Sequence, residues 1–422
     1  MINILLDYKH KHLHLIFLLL PIFFLVLKSW FNIFSIILFL ISIYKIFKNP
    51  YFYFYKRDRL FIILAFSLAL PFMCELSVQT LRTNFYPSSL DGPSRFLLGS
   101  FIFIHLSREE DILGILKFFL VGCLLGLLCT FVSLILFVDH YWGARAATYF
   151  VDPNSLPVYS GLLCCFSLYA VKNFDISWLA KNTLYIFLTL IFLYIVHISQ
   201  TRTAWIPAIF LVLHFIYRSY CFKAFFLSIL GILILLYLFY YYNELFKTRA
   251  DNIIQALHDI RYNNFTSSSL SVRINIFLAV YELIKMEPLL GFQDGFIPSF
   301  EVLKAKSPTL DPIAYKCLKD AGSHFEITAQ ILRKGMFFGS VTLVALFLLP
   351  GYMFLKKLNH YTPFTSEITS MFICVMLMLF ISSFGIEVFN LKMYSTFWAI
   401  FLALAYSLIY SDKGFAPNST HY

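Results

Sequence analysis

Four polar clusters stand out in a chain in which only 13% of the residues are charged. The first is Gly143-Ala-Arg145, followed by Phe150-Val-Asp152-Pro153-Asn154. Asp-Pro-Asn is good turn chemistry, but a turn leaves Arg145 unexplained. The second is Ser199-Gln-Thr-Arg202-Thr-Ala-Trp205. An arginine at the end of a span can snorkel to lipid headgroups. Among hydroxyl and amide groups, its planar fork can also grip phosphate oxygens in pairs. The third is Ser271-Val-Arg273, closed by Pro288-Leu-Leu-Gly291-Phe-Gln-Asp-Gly295; alone it reads equally well as a surface helix with solvated charge.

The fourth cluster is Gly322-Ser323-His324-Phe-Glu326, leading to Gly335 and Gly339. Ser323 and Glu326 have capping-box spacing, which makes Ser323 the expected N-cap, puts His324 in the first helical turn and gives Glu326 a capping role. The positive end of a helix disfavours protonation, so His324 is expected below its reference pKa of about 6.5. A neutral imidazole can accept a proton, and the same helix end attracts anions. A buried, hydrogen-bonded histidine is the plain alternative. Gly335 and Gly339 suit close helix contact, and the helix is expected to run straight into the apolar stretch that follows.

Other chemistries lack their residues. There is no D-x-D, H-E-x-x-H, G-x-S-x-G or G-x-x-x-x-G-K-[ST], so metal-dependent sugar transfer, zinc proteolysis, a serine elbow and nucleotide hydrolysis are unsupported. None of the eight cysteines forms a C-x-x-C pair. Most lie inside apolar runs, where cysteine packs as a small hydrophobe.

The elements that must position these clusters are membrane helices. Of 422 residues, 60% are hydrophobic, against about 45–50% in soluble proteins, and the apolar runs have helix-span length rather than the alternating ten-residue pattern of a barrel. The expectation is an all-α, polytopic integral membrane protein with about twelve spans, near 13–29, 30–47, 60–77, 94–107, 112–138, 155–172, 182–198, 203–218, 223–242, 329–355, 366–386 and 391–410. With the N-terminus in the cytoplasm, the inside loops collect Lys45, Lys48, Lys56, Arg57, Arg59, Lys172, Lys181, Lys356 and Lys357, as the positive-inside rule requires. That rule also accounts for the net charge of +10 without a nucleic-acid partner. All four clusters then fall on the outer face. Residues 1–242 form an N-terminal bundle, 243–328 an outside loop domain and 329–422 the last spans. Within the loop, Ser267, Ser268, Ser269 and Ser271 offer N-caps. Ile274, Phe277, Leu278 and Tyr281 share one face, and Pro288 with Gly291 stops the helix.

In this order and on this topology the clusters resemble the O-antigen ligase (WaaL) family of Gram-negative bacteria, in the superfamily that includes O-antigen polymerases. The resemblance rests on Arg145…Phe150-x-Asp-Pro-Asn154, Thr201-Arg202-Thr-Ala-Trp, Ser-Val-Arg273…Pro288-Leu-Leu-Gly and His324-x-Glu326…Gly335, and covers roughly residues 140–340. Where the family often has a small polar residue after the histidine, this chain has Phe325. The resemblance implies a GT-C-like glycosyltransferase of the inner membrane with its active site facing the periplasm. Such an enzyme moves O-antigen from undecaprenyl diphosphate to a terminal sugar of lipid A–core, without metal, ATP or cofactor. It implies catalytic roles for Arg202, Arg273 and His324. The arginines would bind diphosphate and stabilise the leaving charge, and His324 would take the acceptor proton or position the diphosphate. Arg145, Asn154, Arg249 and Arg261 are substrate-binding candidates, and Arg333 is a further phosphate candidate. The alternatives are a polymerase joining lipid-linked repeat units, and a polysaccharide or lipid transporter. A transporter usually shows internal repeats and midplane charges, neither of which is evident here.

Overall fold

A computed structural model describes residues 11–83, 85–137, 145–220, 222–261, 269–292, 297–308, 310–358, 363–389 and 392–411. Among the described residues helix is the only regular secondary structure. The first half contains α1 (Lys11–Phe24), α2 (Lys28–Lys48), α3 (Pro50–Phe54), α4 (Arg59–Arg82), α5 (Pro87–Leu106), α6 (Ile112–Leu136), α7 (Ser155–Lys172), α8 (Trp178–Ser199), α9 (Trp205–Ser219) and α10 (Phe222–Tyr242). Four loop helices follow: α11 (Glu244–Arg261), α12 (Ser269–Met286), α13 (Phe300–Lys306) and α14 (Pro312–Ala321). Then come α15 (Glu326–Leu343), a π-helical turn (Val344–Leu348), α16 (Leu349–Leu358), α17 (Pro363–Ser382) and α18 (Lys392–Ser411).

Several starts are written in the sequence as side-chain caps. Asp58 accepts the Phe61 amide at 3.0 Å, Asp111 the Gly114 amide at 3.0 Å, and Asp311 the Ala314 amide at 2.7 Å. Each satisfies a donor that the first helical turn leaves without an internal partner.

Among the described residues, eight helices are long and apolar enough to cross a membrane: α2, α4, α6, α7, α8, α10, the run Glu326–Lys356, and α18. Helices occupy all twelve expected span positions, but α1 and residues Glu367–Ser382 are shorter apolar segments. The 15 residues of α9 rise only about 22 Å, against roughly 30 Å of hydrocarbon. α5 opens on the polar run Ser88-Ser89-Leu-Asp91-Gly-Pro-Ser94-Arg95.

The bundle is built around α7 and α18, whose apolar windows are 94% buried, whereas the window of α10 buries nothing. Leu233, Ile234 and Leu235 of α10 are more than half exposed. In water such a surface would drive association; in a bilayer it is simply lipid-facing. α1 packs along α6, α5 lies between α4 and α18, and α17 touches both α7 and α9. Stacked aromatic rings join these layers: Tyr159 on Tyr394 at 3.9 Å, and Phe24 on Phe397 at 4.1 Å. The described cysteines form no disulfide.

The loop helices have a core of their own. Ile276, Ala279, Val280 and Leu283 of α12 pack with Leu303, Leu310, Ala314 and Leu318, and α15 contributes Leu332. The expected loop helix is α12, and the face marked by Ile274, Phe277, Leu278 and Tyr281 is its less covered one. Phe277 and Tyr281 are about half exposed; Phe277 meets Phe325 edge-on at 6.0 Å, and the Tyr281 ring takes the Lys285 ammonium at 4.1 Å. The covered face carries smaller and branched side chains, which let α12 approach α14 and α15 closely. The N-cap candidates Ser267 and Ser268 lie outside the described residues.

Candidate functional site

The clusters that are far apart in sequence meet at one end of the bundle. Arg145 ties two of them together. Its Nε donates to the Ser199 carbonyl at 2.9 Å, and its terminal nitrogen to Asn154 Oδ1 at 2.9 Å and Thr201 Oγ1 at 2.7 Å. Backbone pairing of the Ala146 amide with the Ile198 carbonyl at 3.1 Å continues the same seam. The turn chemistry of Asp152 is realised alongside: its Oδ1 accepts the amides of Asn154 and Ser155 at 2.9 and 3.1 Å. Arg145 therefore clamps the α8–α9 hairpin, and Asn154, expected to bind substrate, holds Arg145. Gly143 and Ala144 lie outside the described residues.

The clamp fixes Arg202, which opens a short 3-10 turn (Arg202–Ala204) before α9. Trp205 stacks on Phe246 of α11 at 4.8 Å, fastening the loop to the hairpin. Arg273 reaches the same place from α12. Burial and the charges of Arg202 and Arg145 push its pKa down, although a guanidinium stays cationic at neutral pH. Three guanidiniums thus share one neighbourhood, a concentration of positive charge suited to a polyanion.

His324 completes the group. Burial, and then the Arg273 charge, hold its pKa below the ordinary histidine value, while Glu387 and Asp152 pull it upward. The imidazole is therefore neutral at physiological pH. Its backbone lies in the left-handed region, φ 59°, a conformation that costs energy in a non-glycine residue and concentrates at functional sites.

The expected capping box does not form. α15 begins at Glu326 with Phe325 as its N-cap and no side-chain cap bond, so His324 precedes the helix instead of sitting in its first turn. The downward pKa shift comes from burial and Arg273 rather than from the helix end. Ser323 donates to the Phe325 carbonyl at 2.9 Å and to Glu387 Oε1 at 3.3 Å. Glu326 is buried and faces elsewhere: its carboxylate accepts the Phe389 amide at 3.1 Å and the Gln330 side-chain amide at 2.6 Å. The Glu326 amide in turn donates to the Ser383 carbonyl at 2.9 Å. Both carboxylates thus tie the start of α15 to the loop between α17 and α18.

Nor does α15 run straight. It breaks at Gly335, φ 75° and ψ 172°, and the broken ends are taken up by the 288–292 segment. Phe292 donates to the Leu332 carbonyl at 2.5 Å, and Met336 to the Pro288 carbonyl at 2.8 Å. A Cβ on Gly335 would collide with the Leu289 carbonyl, and one on Gly291, φ 69°, with that of Leu332. Arg82, at the end of α4, donates to the carbonyls of Leu290 and Arg333. Gly339 contacts the backbone of Gln330 and Ile331, so its small size serves a fold-back of α15 on itself rather than contact with a neighbouring helix.

No protein-family model and no curated protein matches the chain.

Arg145, Arg202, Arg273 and His324 are thus brought together. Arg249 and Arg261 lie on α11, but their side chains are outside the described residues, as are residues 293–296 of the third cluster. Arg333 is paired with Glu387 at 2.6 Å. Among the described residues, no group of three or more His, Cys, Asp or Glu could hold a metal ion. Sequence reasoning missed Glu387 and treated Asp152 only as a turn former. The available signal was their scarcity: with 23 acidic residues in the chain, a carboxylate in a short loop between two spans is unusual enough to weigh.

Proposed function

We propose that the chain is a membrane glycosyltransferase of the O-antigen ligase type. In this reading α1, α5, α9 and α17 also cross the bilayer, giving twelve spans in a GT-C-like arrangement. The arginine site then opens to the periplasm of a Gram-negative inner membrane. The enzyme transfers O-antigen from undecaprenyl diphosphate to a terminal sugar of lipid A–core.

The observation that carries the reading is the convergence of Arg145, Arg202 and Arg273 beside a histidine held neutral. A lipid-linked diphosphate is a leaving group whose departure needs neutralised charge, and guanidinium forks supply it. The acceptor hydroxyl oxygen attacks the anomeric carbon as the bond from that carbon to the diphosphate oxygen breaks. Its electron pair stays on the diphosphate, against Arg202 and Arg273. His324 takes the hydroxyl proton, and attack from the opposite face inverts the anomeric centre.

The test is reconstitution. Purified protein in detergent, given undecaprenyl diphosphate glycan and lipid A–core, should form ligated product in excess EDTA without nucleotide. Arg202→Ala and His324→Ala should abolish it at normal expression. Full activity in both variants overturns the site, and a divalent-metal requirement overturns the mechanism. Glycan lengthening on the lipid carrier would instead mark a polymerase.

A further inference from the structure

Apart from the arginine site, a polar cavity lies between the outer ends of α4, α5, α15 and α18. Its volume is about 130 Å³. At roughly 10–15 Å³ per water position, that is room for about ten waters, enough for a six-membered sugar ring.

Its lining is not that of the arginine site. Lys334 is 2% exposed and Glu75 6%, with Nζ and Oε2 at 3.8 Å. Arg333 is held by Glu387, and Lys392 by Asp91. Every cation lining the cavity therefore faces a carboxylate, and little unbalanced charge is left for a phosphate. Hydrogen-bonding groups are nonetheless plentiful and of both kinds. Glu75 Oε1 accepts from Gln79 at 3.2 Å and Ser89 at 3.1 Å, and Lys334 reaches Thr342 at 3.3 Å. Gln330 is 8% exposed. Its nitrogen is spent on Glu326, while its Oε1 has no partner among the described residues.

A polar network that only glued helices together would be closed and satisfied. This one borders open volume, and the Gln330 Oε1 beside it is buried with no partner among the described residues. Phe96 and Phe389, in edge contact at 5.8 Å, add apolar wall. Balanced donors and acceptors beside aromatic surface, with no net charge, match the hydroxyl edge and C–H face of a neutral sugar.

We propose that this cavity is a carbohydrate subsite holding a neutral pyranose ring of the acceptor glycan. It is separated from His324 by the Arg333–Glu387–Ser323 bridge. The assignment of that ring to the acceptor rests on the glycan-transfer reading of the arginine site.

Saturation-transfer NMR on the full-length protein in detergent tests it, using methyl glycosides of glucose, galactose and N-acetylglucosamine as probes and inorganic phosphate as competitor. At least one glycoside should bind. Its signal should fall fivefold or more in Gln330→Leu and in the double variant Glu75→Gln/Lys334→Met, which removes both charges at similar volume. Thermal melting of each variant shows that it is folded, and Gln330→Leu leaves the ion pairs intact should the double variant not fold. Phosphate should not displace the glycoside. Absence of glycoside binding by the wild-type protein, binding unchanged in the folded variants, or displacement by phosphate overturns the proposal. Glycoside binding without ligation activity would sink the transfer reading alone; ligation without glycoside binding would sink the subsite alone.

Discussion

Glu387 holds Arg333 through Oε2 at 2.6 Å, while its other oxygen accepts from Ser323, the residue that precedes His324. One carboxylate thus steadies the strained turn and also raises the imidazole pKa against the stronger downward effects of burial and Arg273.

A pH dependence follows. The folded-state pKa of His324 lies below its unfolded value of about 6.5. The neutral form, and the stability this group contributes, are therefore fully present above that value and decline as pH falls past it. The acid limb of transfer activity should have its midpoint below 6.5. Glu387→Gln removes a pull that raises the pKa, so the midpoint should move to still lower pH. A pH–rate series on the two proteins measures this, and a move to higher pH would contradict the assignment.

Competition by inorganic pyrophosphate probes the guanidinium cluster without any glycan. Pyrophosphate should inhibit the wild-type protein, less strongly as salt screens the charges. A hydrogen bond to a charged group contributes roughly 1.5–3 kcal/mol, so Arg202→Ala and Arg273→Ala should each raise the inhibition constant by about 10- to 100-fold, read from dose–response curves or from direct pyrophosphate binding where transfer is too weak. Equal inhibition of all three proteins would argue against phosphate recognition.

Arg145 separates charge from shape. Arg145→Lys keeps the positive charge but loses the fork that bonds Ser199, Asn154 and Thr201 together. Stability in detergent should fall by about 1–3 kcal/mol, and transfer should fall with it as Arg202 loses its fixed position. A substrate-gripping role alone would lower transfer and leave the melting temperature unchanged.

Most of the helices and the convergence of the four clusters were legible in the sequence, because long apolar runs and rare charges are strong local signals. The route of α15 was not. Capping-box spacing at Ser323 and Glu326 named a start that Glu326 declines, because its carboxylate finds the Phe389 amide 63 residues away. The glycines at 335 and 339 marked a site of close approach, but the partner was the chain itself. Spacing alone placed Phe277 and Tyr281 on one face of α12, but not that the opposite side, with Ala279 and Val280, is the one covered, because packing against α14 and α15 favours the smaller side chains. Each miss is a tertiary contact overriding a local rule.

Gly335→Ala tests the break directly. A Cβ there meets the Leu289 carbonyl in a conformation alanine avoids, so the variant should lose about 1–3 kcal/mol or more, seen as a lower melting temperature. Gly335→Ser should behave similarly. A variant as stable as the wild type would mean that the helix can run through.

The exchange of hydrogen bonds between 288–292 and the broken α15 bears on how the protein can be taken apart. The helices α12, α13 and α14 borrow Leu332 for their interior, and the 288–292 segment lends backbone donors and acceptors in return. Cut out as a soluble fragment, they would carry an apolar gap and bare amides; deleted, they would leave raw peptide groups at the mouth of the bundle. The lobe and the membrane body are therefore expected to melt as a single cooperative unit.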